Sequence, residues 1–197
     1  MTLAISVPVR DSVHSGFAFC LSELTSSLTA KQIPYKLFFE NGSMLTDQRH
    51  RLVRNALREN ATQILWLDSD MIFPANTYQV LNQHSKDIVA CTYSTRTKPY
   101  RNVAYKDNKQ LKENSGVHSV DSVGMGIMLT STQVFKTVPA PWFKFIYSYE
   151  YDAYVGEDFS FCELAKEYEF DVYVDVDHSK KCAHLGTHAN KLDNIDV

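Results

Sequence analysis

Two aspartates follow directly on an apolar run in the stretch ILWLDSDMIFP, residues 64–74. Residues 64–67 have the composition of a buried strand, and Asp68 and Asp70 come next with one serine between them. Side chains two residues apart in an extended chain point to the same side, so the two carboxylates are expected to repel each other. A hard divalent cation relieves that repulsion, and Mg²⁺ or Mn²⁺ in such sites usually also holds a substrate phosphate. The alternative is a turn whose aspartate caps the next helix.

Three further candidates for chemistry lie late in the chain. Glu157 and Asp158 precede apolar residues at helical spacing, so they are predicted to open an amphipathic helix. Acids in a first helical turn interact favourably with the helix dipole, which is enough to explain them without a catalytic role. His184 lies in CAHLG and is one of seven histidines. On spacing alone, a lone histidine is more often a solvated or core residue than a metal ligand.

The elements that must position these residues alternate along the first half of the chain. Strands are predicted at 3–9, 35–39, 63–67 and 87–91, with helices between them. This alternation predicts a mostly parallel sheet with helices packed on it, and ligands of such sheets bind beyond the carboxyl ends of the strands. The second half is expected to hold short strands within 102–106, 117–123 and 126–130, helices at 131–137 and 157–169, and a last strand at 170–177.

The composition is that of an ordinary globular domain. The 197 residues carry a net charge of −3 and are 44% apolar, which suits one domain with a substantial core. No stretch approaches the length of a membrane span, and the N-terminus does not resemble a signal peptide, so we expect a cytoplasmic protein. The slightly acidic balance gives no electrostatic reason to expect nucleic acid as a partner.

Four cysteines, at positions 20, 91, 162 and 182, are far apart and form no CxxC pair. Buried free thiols are the expected state. A disulfide framework and a zinc site are the alternatives.

Together the motifs resemble those of small glycosyltransferases with the GT-A fold, similar to family-2-like enzymes. The matching segments, in the family's order from residue 3 to 186, are LAISVPVRD, FFENGS, ILWLDSDMIFP, DSVGMGIMLTSTQVFKTV, VGEDFSFCELAKEYEFDVYVD and CAHLG. The resemblance implies an α/β, Rossmann-like GT-A fold with a mixed, mostly parallel sheet flanked by helices. It also implies one domain over 1–197, with a nucleotide-sugar-binding half at about 1–92 and an acceptor and metal half at about 93–197.

The resemblance further implies a metal-dependent transfer of a sugar to an unidentified acceptor hydroxyl. The expected donor is a nucleoside-diphosphate sugar, a UDP-sugar such as UDP-glucose. Mn²⁺, or Mg²⁺, would be held by Asp70 and His184, with Asp68 on the ribose and also near the metal. Asp158 would be the general base of an inverting reaction, and Glu157 would bind the acceptor or donor sugar.

The resemblance also assigns a set of residues to the donor. These are Pro8, Arg10, Glu40, Arg49, Asp68, Ser69, Gly124 and Gly126. A solvated helix face is the alternative for Arg49, because three more arginines follow it in the same predicted helix, and a tight turn is the alternative for the two glycines. Arg10 and the segment ENGS differ from the family's commoner asparagine and DDGS, which leaves base recognition open.

Other functions fit parts of the pattern. A retaining glycosyltransferase shares the DxD motif and the histidine. A sugar nucleotidyltransferase shares the α/β plan but needs a glycine-rich basic loop near its N-terminus. A phosphatase of the HAD type carries its DxD on the first strand, and a non-catalytic sugar-binding module needs no catalytic group.

Overall fold

The computed structural model describes residues 2–96, 98–150 and 152–186, and it has an α/β fold. The strands of this part of the chain are β1 Leu3–Val9, β2 Tyr35–Asn41, β3 Gln63–Leu67, β4 Met71–Ile72, β5 Ile88–Ala90, β6 Ala104–Lys106, β7 Lys109–Gln110, β8 Val117–Val120, β9 Ser122–Val123, β10 Ile127–Ser131, β11 Ile146–Ser148, β12 Ala153–Val155, β13 Val172–Asp175 and β14 Ala183–His184. The helices are α1 Ser15–Ala30, α2 Leu45–Arg58, α3 Thr77–Gln83, α4 Thr132–Thr137, α5 Glu157–Glu167 and α6 Val176–Ser179.

The central sheet has seven strands in the order β2–β1–β3–β10–β5–β13–β8. Strands β2, β1 and β3 pair in parallel, and so do β5 and β13. Strand β10 lies antiparallel between β3 and β5, and β8 is antiparallel at the edge. Five of the seven strands therefore run in one direction, which confirms the prediction of a mixed, mostly parallel sheet.

Strand β3 shows why an apolar run precedes the two aspartates. Its side chains alternate across the sheet. Ile64 and Trp66 enter one hydrophobic cluster and Leu65 and Leu67 enter another, and all four are fully buried. A strand covered on both faces needs apolar residues at every position, not at alternate ones. The run thus anchors the residues that follow it to both halves of the core.

The end of the last central strand differs from the sequence-based expectation. We predicted a strand through residue 177, but β13 ends at Asp175 and α6 begins at Val176. The Asp175 carboxylate accepts a hydrogen bond from the backbone N of His178 at 2.8 Å, which caps the helical turn and ends the strand.

Strands from both predicted halves of the chain interleave in this one sheet, since β10 and β13 flank β5. The division into a donor half and an acceptor half stays a prediction. Across residues 2–96, 98–150 and 152–186, no helix combines the length and the apolar character that a membrane crossing requires.

Candidate active site at the carboxyl end of β3

A tight turn, not an extended chain, carries the two aspartates. The backbone N of Met71 donates to the carbonyl of Asp68 at 3.1 Å, and the backbone N of Asp68 donates to the carbonyl of Gly126 at 2.9 Å. Our expectation of an extended chain at Asp68 and Asp70 is therefore wrong, because a hydrogen-bonded turn takes its place. The two carboxylates instead have different partners.

Asp70 lies against a histidine and an arginine. Its Oδ1 is 3.5 Å from Nε2 of His184, and its Oδ2 forms an ion pair with Arg96. Strand β14 pairs with β4 so that His184 lies opposite Met71, and the backbone N of Leu185 donates to the carbonyl of Asp70 at 2.9 Å. Two residues that are 114 positions apart in sequence are thereby brought together, as the resemblance implied.

The two ring nitrogens of His184 have different partners. Nε of Arg96 can only donate, and it lies 2.7 Å from Nε2 of His184. The other ring nitrogen, Nδ1, lies 3.3 Å from the carbonyl of Ser94, which can only accept. Nε2 thus faces both Arg96 and Asp70, and Nδ1 faces the carbonyl of Ser94. A histidine ligand of a metal is commonly oriented by such a contact from its second nitrogen to a carbonyl.

The Asp70 carboxylate is ionised. Burial raises its pKa, but the neighbouring His184 and Arg96 outweigh burial, so that the pKa of Asp70 lies below its ordinary value. Its Oδ1 is buried and accepts no hydrogen bond from the described residues. The atom thus has a free lone pair at a negatively charged group, which suits a cation.

A divalent cation fits between Asp70 and His184. Adjacent ligands of an octahedral ion with bonds of about 2.1 Å lie roughly 3 Å apart, and the 3.5 Å between Oδ1 and Nε2 needs little change to match that spacing. In this structure the positive charge beside Asp70 is the guanidinium of Arg96. A metal bound here would displace the arginine side chain, which is half exposed.

Asp68 faces a buried arginine. Its Oδ1 accepts a hydrogen bond from Nη2 of Arg49 at 3.2 Å, and Nε of Arg49 lies 3.3 Å from Oε1 of Glu157. Arg49 is only 1% exposed, and its guanidinium lies 6.0 Å from the ring centre of Trp66. Burial lowers the pKa of Arg49, but the charges of Asp68 and Glu157 outweigh it and keep the pKa above its ordinary value. Arg49 thus joins the loop after β3 to the start of α5.

This position gives Arg49 a role that the resemblance did not supply. Its side chain lies beneath the surface of the site, and removing one partner of such a buried pair typically costs about 3–5 kcal/mol. Glu157, which we assigned to a sugar, is also buried with its carboxylate directed at Arg49. Direct contacts of Arg49 with a donor phosphate and of Glu157 with a sugar stay predictions.

Asp158 lies at the start of α5 beside this ion-pair network. Burial is the largest cause that raises its pKa, followed by the charge of Glu157, while Arg49 opposes them; the resulting pKa is about 6. The Asp158 Oδ1 accepts a hydrogen bond from the backbone N of Phe159 at 2.8 Å. The helix dipole alone would lower this pKa, but burial and the neighbouring acids outweigh it. The carboxyl group can therefore both release and accept a proton near neutral pH.

Tyr93 joins the two parts of the site, and sequence reasoning missed it. Its ring contacts His184 edge to face with 5.0 Å between ring centres, and its hydroxyl accepts a hydrogen bond from the backbone N of Gly126 at 3.0 Å. A Cβ on Gly124 or Gly126 would lie within 2.7 Å of that hydroxyl. The two glycines, which we assigned to the donor, therefore make room for Tyr93. Burial, with the charges of Asp68 and Asp158, raises the pKa of Tyr93 well above its ordinary value, so it remains a neutral phenol.

A cleft of about 220 Å³ opens above the turn. Its lining includes the predicted residues Pro8, Arg10, Asp68, Ser69 and Asp70, together with Arg96. The cleft is smaller than the roughly 300–1,000 Å³ usual for ligand pockets, and Arg96 on Asp70 accounts for part of the difference. Displacement of the arginine would enlarge the cleft on the side of His184.

The segment after β2 contributes to the cleft through residues other than the one predicted. Gly42, Ser43 and Gln48 line it, and the Gln48 side chain donates to the carbonyls of Val9 and Glu40, which holds the ends of β1 and β2 together. The Glu40 carboxylate faces away and accepts hydrogen bonds from Arg51 at 2.9 Å and Asn55 at 2.8 Å. A glutamine three residues into a predicted helix carried no signal for this role.

Comparison with known proteins gives a fold and no sequence family. No family model matches the chain, and no curated protein matches it. Among solved structures, the chain is similar to A197 from STIV, with a TM-score of 0.59 and 16% identity over 98% of both chains. It is also similar to a mutant of the Drosophila β-1,4-galactosyltransferase 7 in complex with manganese, UDP-Gal and xylobiose, with a TM-score of 0.56 and 13% identity over 94% of this chain and 71% of that one. The chain has a GT-A-like fold.

Proposed function

We propose that the protein is a metal-dependent glycosyltransferase that moves a sugar from a UDP-sugar to an acceptor hydroxyl with inversion. The observation that carries this proposal is the pair formed by Asp70 and His184. An ionised carboxylate and an imidazole nitrogen face each other 3.5 Å apart at the carboxyl end of β3, beside a cleft. The similar galactosyltransferase structure, which contains manganese and UDP-Gal, supports the choice of metal and donor.

Asp70 and His184 would hold the cation, and mixed oxygen and imidazole ligands favour Mn²⁺ over Mg²⁺. When bound, the cation neutralises the diphosphate leaving group. Pro8, Arg10 and Ser69 line the cleft where the nucleotide would lie, at the switch region beyond β1 and β3. Arg96, once displaced from Asp70, is long enough to reach a phosphate and carries a planar fork of donors that suits it.

Asp158 would take the proton from the acceptor hydroxyl. A base works best when its pKa is near the working pH. With a pKa of about 6, roughly nine-tenths of the group is ionised at pH 7. Arg49 and Glu157 fix the start of α5 relative to Asp68, so the base is held at a constant position with respect to the donor site.

The acceptor would bind near the start of α5. A cavity of about 400 Å³ adjoins the start of this helix, and its lining includes Tyr105, Tyr154, Gly156 and Phe159. Aromatic faces with a few polar groups are a suitable surface for a sugar ring. We therefore expect a saccharide or another hydroxyl compound with an extended apolar face.

Release of UDP tests this function. A panel of UDP-sugars should be incubated with the protein and Mn²⁺, and free UDP should be measured with and without candidate acceptors. We expect turnover with at least one donor, loss of turnover in excess EDTA, and recovery on adding Mn²⁺. Full activity after the metal is shown to be removed would contradict metal dependence. NMR of the product distinguishes an inverting from a retaining reaction.

A further inference from the structure

A second group of metal-ligating side chains lies away from the proposed donor site. It consists of Cys91, His178 and Cys182, and one ligand atom from each lies within 4.8 Å of the other two. Within the described ranges this is the one set of three cysteine, histidine or acidic residues that converges so closely. Cys91 directly follows β5, His178 belongs to α6, and Cys182 precedes β14, so three separate elements meet here.

The histidine is oriented with a ring nitrogen free for a ligand. The hydroxyl of Thr77 lies 2.7 Å from the carbonyl of Pro74 and 2.9 Å from Nε2 of His178; when it donates to the carbonyl, its oxygen accepts the hydrogen bond from Nε2. The proton of a neutral His178 is then on Nε2, and the lone pair is on Nδ1. Histidine ligands are commonly oriented by a hydrogen bond from the second ring nitrogen to an acceptor, and the Thr77 oxygen is such an acceptor here.

The spacing and the charge both suit zinc. Tetrahedral Zn²⁺ with bonds of about 2.3 Å to sulfur and about 2.0 Å to nitrogen holds its ligand atoms roughly 3.5–3.8 Å apart, so the cluster needs only a small contraction. Cys91 is fully buried and His178 is 2% exposed. Zn²⁺ with two thiolates and a neutral imidazole has no net charge, which makes burial of the ion acceptable.

We propose that Cys91, His178 and Cys182 bind a structural Zn²⁺ ion. Binding replaces the two thiol protons, which leave to solvent, by two Zn–S bonds, and the imidazole supplies the third ligand. The fourth position would be taken by a water, and a cavity of about 290 Å³ is lined by Thr92 and Ser179, the residues that follow Cys91 and His178. The backbone N of Thr92 already donates to the Ser179 hydroxyl at 2.9 Å, so the strand end and α6 are in contact beside the site.

The position of the site suggests what it stabilises. Cys182 lies two residues before His184, and β14 is only two residues long. An ion that fixes Cys182 to the ends of β5 and α6 would hold the segment that delivers His184 to Asp70. The zinc site would thus be structural and distinct from the exchangeable metal of the proposed reaction.

Cobalt is the probe that separates the two sites. The protein is purified under reducing conditions, stripped with a chelator and titrated with Co²⁺. We expect a thiolate-to-cobalt charge-transfer band that saturates at one ion per chain and disappears on addition of Zn²⁺. The band should be lost in Cys91→Ser and in Cys182→Ser. It should persist in Cys20→Ser, a control thiol buried in α1, and in Asp70→Ala, so failure of the proposed reaction would leave this result intact.

Absence of the band in the wild-type protein, or its survival in Cys91→Ser, would overturn the proposal. If the cysteine variants fail to fold, the proposal can still be tested on the wild-type protein. Zn²⁺ should block alkylation of the partly exposed Cys182 by N-ethylmaleimide, as read by peptide mass spectrometry. Equal alkylation of Cys182 with and without Zn²⁺ would also overturn it, and so would a Cys91–Cys182 disulfide that forms in place of metal binding.

Discussion

The groups after β3 and after β5 both bring a histidine together with anionic or potentially anionic ligands, but their surroundings differ. At the first, Asp70 and His184 lie beside a half-exposed Arg96 and a cleft. At the second, Cys91 and His178 are both buried. Oxygen ligands with an accessible cationic neighbour suit a metal that arrives with a substrate, whereas buried sulfur ligands suit a metal that stays.

The two metals are also expected to affect different properties of the protein: the first the reaction and the second the stability of the fold. Loss of the first metal should stop the reaction and leave the fold, because a loop carboxylate contributes little to the core. Loss of the second should loosen the fold near His184 and reduce the reaction only indirectly. Substitutions in the two groups should therefore have opposite patterns in assays of activity and of thermal unfolding.

The largest expected effect is that of Asp70→Ala on turnover. Without this carboxylate, His184 alone cannot hold a hard divalent ion, so sugar transfer and metal-dependent UDP binding should both be abolished. The midpoint of thermal unfolding should change little. Asp11→Ala, which removes a carboxylate that is 85% exposed, is the matched control. A folded Asp70→Ala protein with near-normal UDP-sugar affinity and rate would break the comparison.

A smaller but specific effect is expected for Asp158→Asn. Loss of a general base typically lowers the rate 10²–10⁴-fold, while Mn²⁺ and UDP binding should be nearly unchanged because Asp70 and His184 remain. In the wild type the transfer rate should rise with pH through about 6, the pKa of Asp158, since only the ionised carboxylate accepts the proton. In Asp158→Asn this rise of the transfer rate with pH should be absent.

Stability provides a check on that substitution. Burial raises the pKa of Asp158 above that of the unfolded chain, so the protonated group favours the folded state. That contribution is full below the unfolded pKa and is lost as the pH rises through about 6. Asparagine resembles the neutral acid, and Asp158→Asn should therefore not lower the unfolding temperature at pH 7. A near wild-type transfer rate in Asp158→Asn would contradict the proposal that Asp158 is the general base. So would a wild-type product with retained anomeric configuration.

Much of the fold follows from local patterns in the sequence. The continuous apolar run of β3 predicts a strand buried on both faces, and α5 begins at Glu157 as its acids and helical spacing indicate. The approach of His184 to Asp70 is a long-range contact that local patterns do not contain. Only the order of motifs, through the family resemblance, predicted it.

Other features of the site depend on packing that no local pattern encodes. Tyr93 lies in a loop, and its fit over Gly124 and Gly126 requires β10 to insert beside β3. Arg49 resembles its exposed neighbours in sequence but is buried because α2 directs it at Asp68 and Glu157. Cys91 and Cys182 show no metal-binding spacing, since their approach depends on α6, whose first two residues we predicted to be part of a strand.

The smallest effect that distinguishes the two groups concerns Arg96. The Arg96 guanidinium forms an ion pair with Asp70 and a hydrogen bond to His184. A metal that binds these two residues must therefore first displace the arginine. An exposed ion pair contributes about 0.2–1 kcal/mol, which corresponds to roughly 1.5- to 5-fold in a dissociation constant. Arg96→Ala should therefore bind Mn²⁺ about that much more tightly in the absence of nucleotide, whereas Co²⁺ binding at the cysteine cluster should be unaffected.

With a UDP-sugar present the tighter Mn²⁺ binding of Arg96→Ala should disappear or reverse, because the variant has no guanidinium to contact the diphosphate. Titration by isothermal calorimetry, with the exposed Arg101→Ala as the control, measures both quantities. Weaker Mn²⁺ binding by Arg96→Ala without nucleotide would mean that the arginine supports the metal site and does not compete for it.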